Sequence, residues 1–178
     1  MNTTSPTRIG IISDTHGYLD PRIADVIADC DIAIHAGDIM GQHVLEKMKP
    51  RSGKVVAVRG NNDNEFIWNS EEHPTLATLE HVARLKLPGG TLIVVHGHMH
   101  GGNHPNHAVM REQFSEARTI VYGHSHKMTC DTAQTPWVVN PGAAGETRTK
   151  GGPSCLILEA SEADWTIEPL RFADEAAS

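Results

Sequence analysis

A chain of 178 residues, 39% of them hydrophobic, is long enough for one well-buried core and too short for two, so one domain and one principal site are expected. A net charge of -7 excludes a protein that holds nucleic acid by bulk positive charge, and aromatic residues at 4% leave few rings for stacking single strands. Aliphatic runs such as Leu92–Val95 are far too short to span a bilayer, and three cysteines without any C-x-x-C spacing form neither a disulfide framework nor a zinc ribbon. The expectation is a cytoplasmic protein without membrane contact, a single domain over 1–178 whose ends, 1–7 and 172–178, are loose.

In chain order, Ile9, Ile11 and Ile12 form a strand that ends in Ser-Asp-Thr-His-Gly, and Asp20-Pro21 supplies the cap and first turn of a helix through Ile23, Val26 and Ile27. The pattern returns as a strand at 32–35, a helix near Gln42–Lys49 and a strand at 55–58, which reads as βαβαβ with a parallel sheet. Pro88-Gly89-Gly90 then joins a strand containing Leu85 and Leu87 to one at 91–95, an antiparallel hairpin. A helix near Asn106–Ala117 follows, with Val109, Met110 and Phe114 inward, and then strands near 119–122, 128–132, 137–140, 154–159 and 165–170. Two packed sheets with helices outside, an α/β architecture, fit this order. A dinucleotide-binding fold does not, because no G-x-G-x-x-G follows the first strand.

Twelve histidines stand out, seven of them in 96–107 and 124–126. Asp14, Asp38, Asn61, His96 and His124 each fall within a few residues of the C-terminal end of an expected strand, the edge where α/β sheets bind ligands. Residues i and i+2 of extended chain point the same way, so Asp14 with His16, His96 with His98, and His124 with His126 each offer two groups to one point. Carboxylate, imidazole and amide without thiolate suit Mn, Fe, Zn or Ni, and so many donors would over-supply one ion. Two divalent ions sharing a carboxylate, as in phosphatases and nucleases, would use them.

The motifs SDTHG at 13–17, HAGD at 35–38, GNND at 60–63, HGH at 96–98, GHSH at 123–126 and NPGA at 140–143 together resemble the calcineurin-like metallophosphoesterases over nearly the whole chain. The small size resembles their compact bacterial and archaeal phosphodiesterase branch, related to a eukaryotic retromer subunit. The resemblance implies a four-layer α/β/β/α sandwich of two mixed β-sheets flanked by helices. It implies Asp14, His16, Asp38 and His126 around one ion, and Asp38, Asn61, His96 and His124 around a second, with Asp38 the bridge. Mn2+ is the expected metal, with Fe, Zn and Ni as alternatives, and a metal-bridging hydroxide is the expected nucleophile.

At 60–63 many members carry a histidine, taken as the proton donor, where this chain has Asn62, and an amide is no general acid at neutral pH. Small phosphodiesters, or activated aryl esters, are therefore expected to be preferred to simple alkyl monoesters. His98 is the substitute donor, with a hydrogen bond to a phosphate oxygen or a ligand as the equal alternative. Asp63 is expected to orient a ligand histidine, or else to cap a turn. His35 reads as a packed strand residue, and His100, His104 and His107 as a solvent-facing loop. Arg148 and Lys150 are within reach of a substrate phosphate but read first as solvated surface. The competing functions are a protein-interaction scaffold and a monoesterase or nuclease of the same superfamily. The expected partner is a small phosphodiester, not long nucleic acid, and self-association into a homo-oligomer is left open.

Overall fold

Successive strand residues enter different cores, as the two-residue period of extended chain requires. The computed structural model describes residues 4–102 and 104–175. One sheet has the order β10-β9-β1-β2-β3, built from β1 (Thr7–Ile12), β2 (Ile32–His35), β3 (Lys54–Ala57), β9 (Ser154–Ala160) and β10 (Trp165–Arg171). The other has the order β4-β5-β6-β8-β7, from β4 (Val82–Leu87), β5 (Gly90–Val95), β6 (Thr119–Val121), β7 (Thr129–Asp131) and β8 (Trp137–Asn140). The centre of each is parallel, β1-β2-β3 and β5-β6-β8, and the remaining pairings, β1-β9, β9-β10, β4-β5 and β7-β8, are antiparallel.

Ile9, Ile11 and Ile34 of the first sheet meet Leu92, Val94, Val121 and Val139 of the second in a core between the sheets. Their neighbours Ile12 and Ala33 face outward, under Ile23 and Ile27 of α1 (Pro21–Ala28), Val44 of α2 (Gln42–Lys47) and Leu76 of α3 (His73–Ala77). Ile93, Ile120 and Val138 face outward from the second sheet against Met110 of α4 (His107–Gln113) and Phe114. The result is the four-layer α/β/β/α sandwich. Each of these fully buried aliphatic side chains contributes about 1.5–3 kcal/mol of transfer free energy.

Asp20 caps α1 with its carboxylate on the Arg22 N–H, and Pro21 follows at a position where no intrahelical donor is lost. Three sequence expectations need correction. A turn of 3-10 helix at Ser70–Glu72 and α3 occupy a stretch where no element was expected. The helix after Asn106 stops at Gln113, because Phe114 leaves helical geometry while keeping its ring buried. The ends are less loose than expected: Thr7 already pairs with Ala160, and the Phe172 N–H donates to the Pro153 carbonyl (2.9 Å). The rest of that expectation, at 1–3 and 176–178, lies outside the described residues.

Candidate metal centre

The segments that follow β1, β2, β3, β5 and β6 meet at one edge of the sandwich and bring Asp14, His16, Asp38, Asn61, His96, His124 and His126 together. Asp14, His16 and His126 form one group of donor atoms within 4.8 Å of one another, and Asp14, Asp38 and His96 a second. Asp38 turns its two oxygens to different partners, Oδ1 lying 3.4 Å from His96 Nε2 and Oδ2 3.6 Å from His16 Nε2. Asp14 offers one oxygen only. Its Oδ2 accepts from Ser13 Oγ (2.7 Å) and the His124 N–H (2.9 Å), while Oδ1 lies 3.4 Å from His126 Nε2. Asn61 Oδ1 is 3.1 Å from His124 Nδ1, and the His124 ring stands 5.1 Å from that of His96.

The backbone reason for this convergence differs from the sequence expectation. Asp14, His16, His124 and His126 are not extended but left-handed, with φ between 47° and 69°. The His124 and His126 pair therefore divides its work: His124 faces Asn61 and His96, whereas His126 faces His16 and Asp14. Close backbone approach also matters. A Cβ on Gly123 would come 2.6 Å from Asp14 Oδ2, and one on Gly60 would collide with Asp38.

The donors fit divalent cations. Asp14 Oδ1 and His96 Nε2 are buried with no hydrogen-bond partner among the described residues, an arrangement that costs free energy unless something else coordinates them. His16 Nε2 and His126 Nε2 point at each other across 3.1 Å. Burial pushes the Asp14 carboxyl up to about 7, against the opposing pull of His96 and the Ser13 hydroxyl. Burial works against protonated His96, yet Asp38 and Asp14 raise it to about 9. Burial also opposes the Asp38 carboxylate, but His96 and the two Asn62 donors hold it below the ordinary range. Burial and the neighbouring His16 and Arg148 lower His126 to about 4, leaving its ring neutral as a metal ligand must be.

Three further residues stand beside these donors. Asn62 grips Asp38 with its backbone N–H (2.9 Å, to Oδ1) and its side-chain amide (2.8 Å, to Oδ2), so it positions a carboxylate. Among the described residues Asp63 hydrogen-bonds no histidine. Its buried carboxylate accepts from the N–H groups of Ile39, Met40 and Gly60 and from Trp68 Nε1, tying the loop after β2 to the loop after β3. His98 lies beside the cluster, its ring 5.4 Å from His96 and 6.1 Å from His124, with Nδ1 unpartnered; burial and those neighbours lower it to about 4.

His35 is packed as expected, with Nε2 2.9 Å from Thr15 Oγ1 and Nδ1 accepting from the Gly37 N–H. His104 is exposed, but His100 is buried against Phe114 and His107 bridges Asp131 and Tyr122 at 2.8 Å each, which corrects the solvent-loop reading for both. Ser13 and Asn140 escaped sequence reasoning. Asn140 donates to the Gly123 carbonyl and Ser125 Oγ, holding the loop that carries His124 and His126; its place at the end of β8 was the available signal.

The model for the calcineurin-like phosphoesterase superfamily domain matches residues 7–163. Phosphodiesterase MJ0936 of Methanocaldococcus jannaschii is 25% identical over 166 residues, covering 89% of this chain and 96% of that protein. The probable metallophosphoesterase YsnB of Bacillus subtilis is 28% identical over 175 residues, covering 94% and 91%. Among solved structures, a single mutant of Vps29 from Entamoeba histolytica superposes with a TM-score of 0.73 at 16% identity, covering 93% of this chain and 99% of that one.

Proposed function

The chain belongs to the calcineurin-like phosphoesterase superfamily, and on that footing we propose that it is a phosphodiesterase that hydrolyses small diesters with two divalent ions held side by side. The observation that carries the proposal is Asp38, whose two oxygens face two different histidines while Asp14 Oδ1 and His96 Nε2 lie buried and unpartnered beside it. Asp14, His16, Asp38 and His126 would hold one ion, and Asp38, Asn61, His96 and His124 the other. Two such ions would supply an acidified water as nucleophile and a positive clamp for the phosphoryl oxygens. Asn62 fixes both oxygens of Asp38 in the pose that would serve both ions, and Asp63 ties the loops after β2 and β3 together. His98 contacts the substrate, either protonating the leaving oxygen or donating a hydrogen bond to a phosphoryl oxygen. Mn2+ is the proposed metal and the cytoplasm the proposed location, where the free Cys30, Cys130 and Cys155 stay reduced.

A protein-interaction scaffold is the competing reading. The likeness to Vps29 concerns the fold alone, and a full donor set at every ligand position weighs against it. Elemental analysis of the purified protein, followed by bis-aryl and mono-aryl phosphates assayed side by side with added Mn2+, tests the proposal. Two bound ions and faster diester turnover are expected. A clear monoester preference refutes the diester assignment, and no bound metal with no diester hydrolysis refutes the enzyme. In His98→Gln, loss of the alkaline-side fall in kcat on a diester with a poor leaving group would mark proton donation; a raised KM with the pH profile kept would mark phosphate contact.

A further inference from the structure

The mouth of the cleft carries more positive charge than a simple diester can use. A cavity of about 520 Å³ is lined by Asp38, Asn61 and His124 and, beside them, by Lys127, Arg148 and Lys150. Three cations around one opening are conspicuous in a chain of net charge -7. Several arginines elsewhere are paired, Arg8 with Glu159, Arg22 with Asp20 and Arg111 with Asp131, while what sets Lys127, Arg148 and Lys150 apart is that all three line one cavity beside Asp38 and His124. Among the described residues Lys127, Arg148 and Lys150 pair with no carboxylate, and the one side-chain hydrogen bond of the three is Lys150 Nζ donating to the Ser125 carbonyl (2.8 Å). Arg148 and Lys150 hold left-handed backbone, φ 48° and 53°, in the loop whose carbonyls at Thr147 and Arg148 receive His126 Nδ1. Left-handed backbone at non-glycine residues is costly and concentrates where function requires it.

Charge balance indicates what these side chains face. Resting on the two-ion reading above, the centre brings four positive charges. Asp14 and Asp38 offset two, and an attacking hydroxide with the single charge of a diester offsets the others. The scissile group is then neutralised without Lys127, Arg148 or Lys150. We propose that these three residues form an anion-binding wall for a second phosphate carried on one arm of the substrate, so that the substrate class is phosphodiesters bearing a terminal phosphomonoester. The cavity has room for such an arm, since ligand cavities of about 300–1,000 Å³ enclose molecules of that size.

The test compares matched substrate pairs that differ only in the terminal phosphate. One pair is para-nitrophenyl ethyl phosphate and its phosphoethyl analogue, read by nitrophenolate release so that only the diester bond is reported. The other is a dinucleotide of adenosine with and without a terminal phosphate. Two or three charge-assisted contacts at an exposed site predict KM roughly two- to a hundredfold lower for the phosphorylated member, with kcat little changed and the advantage shrinking as salt rises. In Arg148→Gln combined with Lys150→Gln, and separately in Lys127→Gln, the ratio between members of a pair should fall toward one. The ratio is an internal control, because any disturbance of the metal centre affects both members. An advantage in both pairs, or in one, supports the wall and identifies which arm it accepts. A wild-type ratio near one, or a ratio kept in the variants, overturns the inference while bis-aryl hydrolysis still supports the phosphodiesterase. Absence of bis-aryl hydrolysis overturns both.

Discussion

Asp38→Asn separates a shared ligand from a local one. Both Asp38 oxygens accept from Asn62, so the introduced amide must aim its NH2 at a donor whichever way it turns. One charge-assisted hydrogen bond is lost, about 1.5–3 kcal/mol, and an opposed buried donor adds about 1–3 kcal/mol. The same change removes negative charge 3.4 Å from His96 and 3.6 Å from His16, so each half of the centre is weakened. Losing an outer partner of a ligand typically lowers metal affinity about 10–100-fold, and losing a shared ligand should cost at least about 100-fold for both ions. Elemental analysis after gel filtration in micromolar Mn2+ should find two ions in the wild type, under one in Asp38→Asn and about one in Asp14→Asn, whose single free oxygen lies 3.4 Å from His126 Nε2 against 3.9 Å from His96 Nε2. A thermal shift by Mn2+, worth about 2.7 kcal/mol at a metal concentration 100 times Kd, should vanish in Asp38→Asn. An Asp38→Asn protein that keeps both ions, or an Asp14→Asn protein that loses both, refutes the assignment of the bridge.

Asp63→Asn places an NH2 among four donors, from Ile39, Met40, Gly60 and Trp68, and should lower stability by about 2–4 kcal/mol in urea titration while weakening metal binding; an unchanged urea midpoint counts against the strut. His35 is held neutral by burial, its folded-state value lowered to about 3, so its contribution is fully present above its unfolded value near 6.5 and is lost as pH falls toward 3. Metal-stripped wild type should therefore lose stability between pH 6.5 and 4 more steeply than His35→Gln, and parallel pH profiles would sink this account.

The βαβαβ run and the later strands were legible because alternation and flanking turn residues are local signals. The short α3 was not: five residues with Pro74 in the first turn and one buried side chain, Leu76, leave no helical period to read. The metal-site residues were legible as strand-end polar groups, but their aim was inferred from extended geometry that the chain does not adopt. Left-handed φ at Asp14 and His124 depends on packing between loops distant in sequence, as in the Asp14 N–H bonding to the Gly37 carbonyl and the His124 N–H to Asp14 itself. His100 and His107 misled for a related reason. A polar, histidine-rich stretch reads as solvated, and only the fold brings Phe114, Tyr122 and Asp131 against it.

That backbone geometry bears on whether metal builds the site or finds it built. Asp14, His16, Asp38, Met40, His124, His126, Arg148 and Lys150 all have positive φ. Left-handed backbone costs about 1–2 kcal/mol at each residue, so together they oppose folding by on the order of 10 kcal/mol, comparable to the net stability of a typical domain. The compensation is in the protein itself. Asp14, His16 and Gly17 donate to the carbonyls of Gly37, Asp38 and Ile39 at 2.9–3.0 Å, Asp63 fastens Ile39 and Met40, and Asn140 fastens Gly123. None of these bonds needs an ion. Chelation should therefore lower the melting temperature yet leave near-ultraviolet circular dichroism and dispersed amide proton resonances native, unlike a structural zinc domain that unfolds without its metal. A metal-free protein with native far-ultraviolet but collapsed near-ultraviolet signals would mean that the ions, and not the hydrogen bonds between loops, hold the centre in shape.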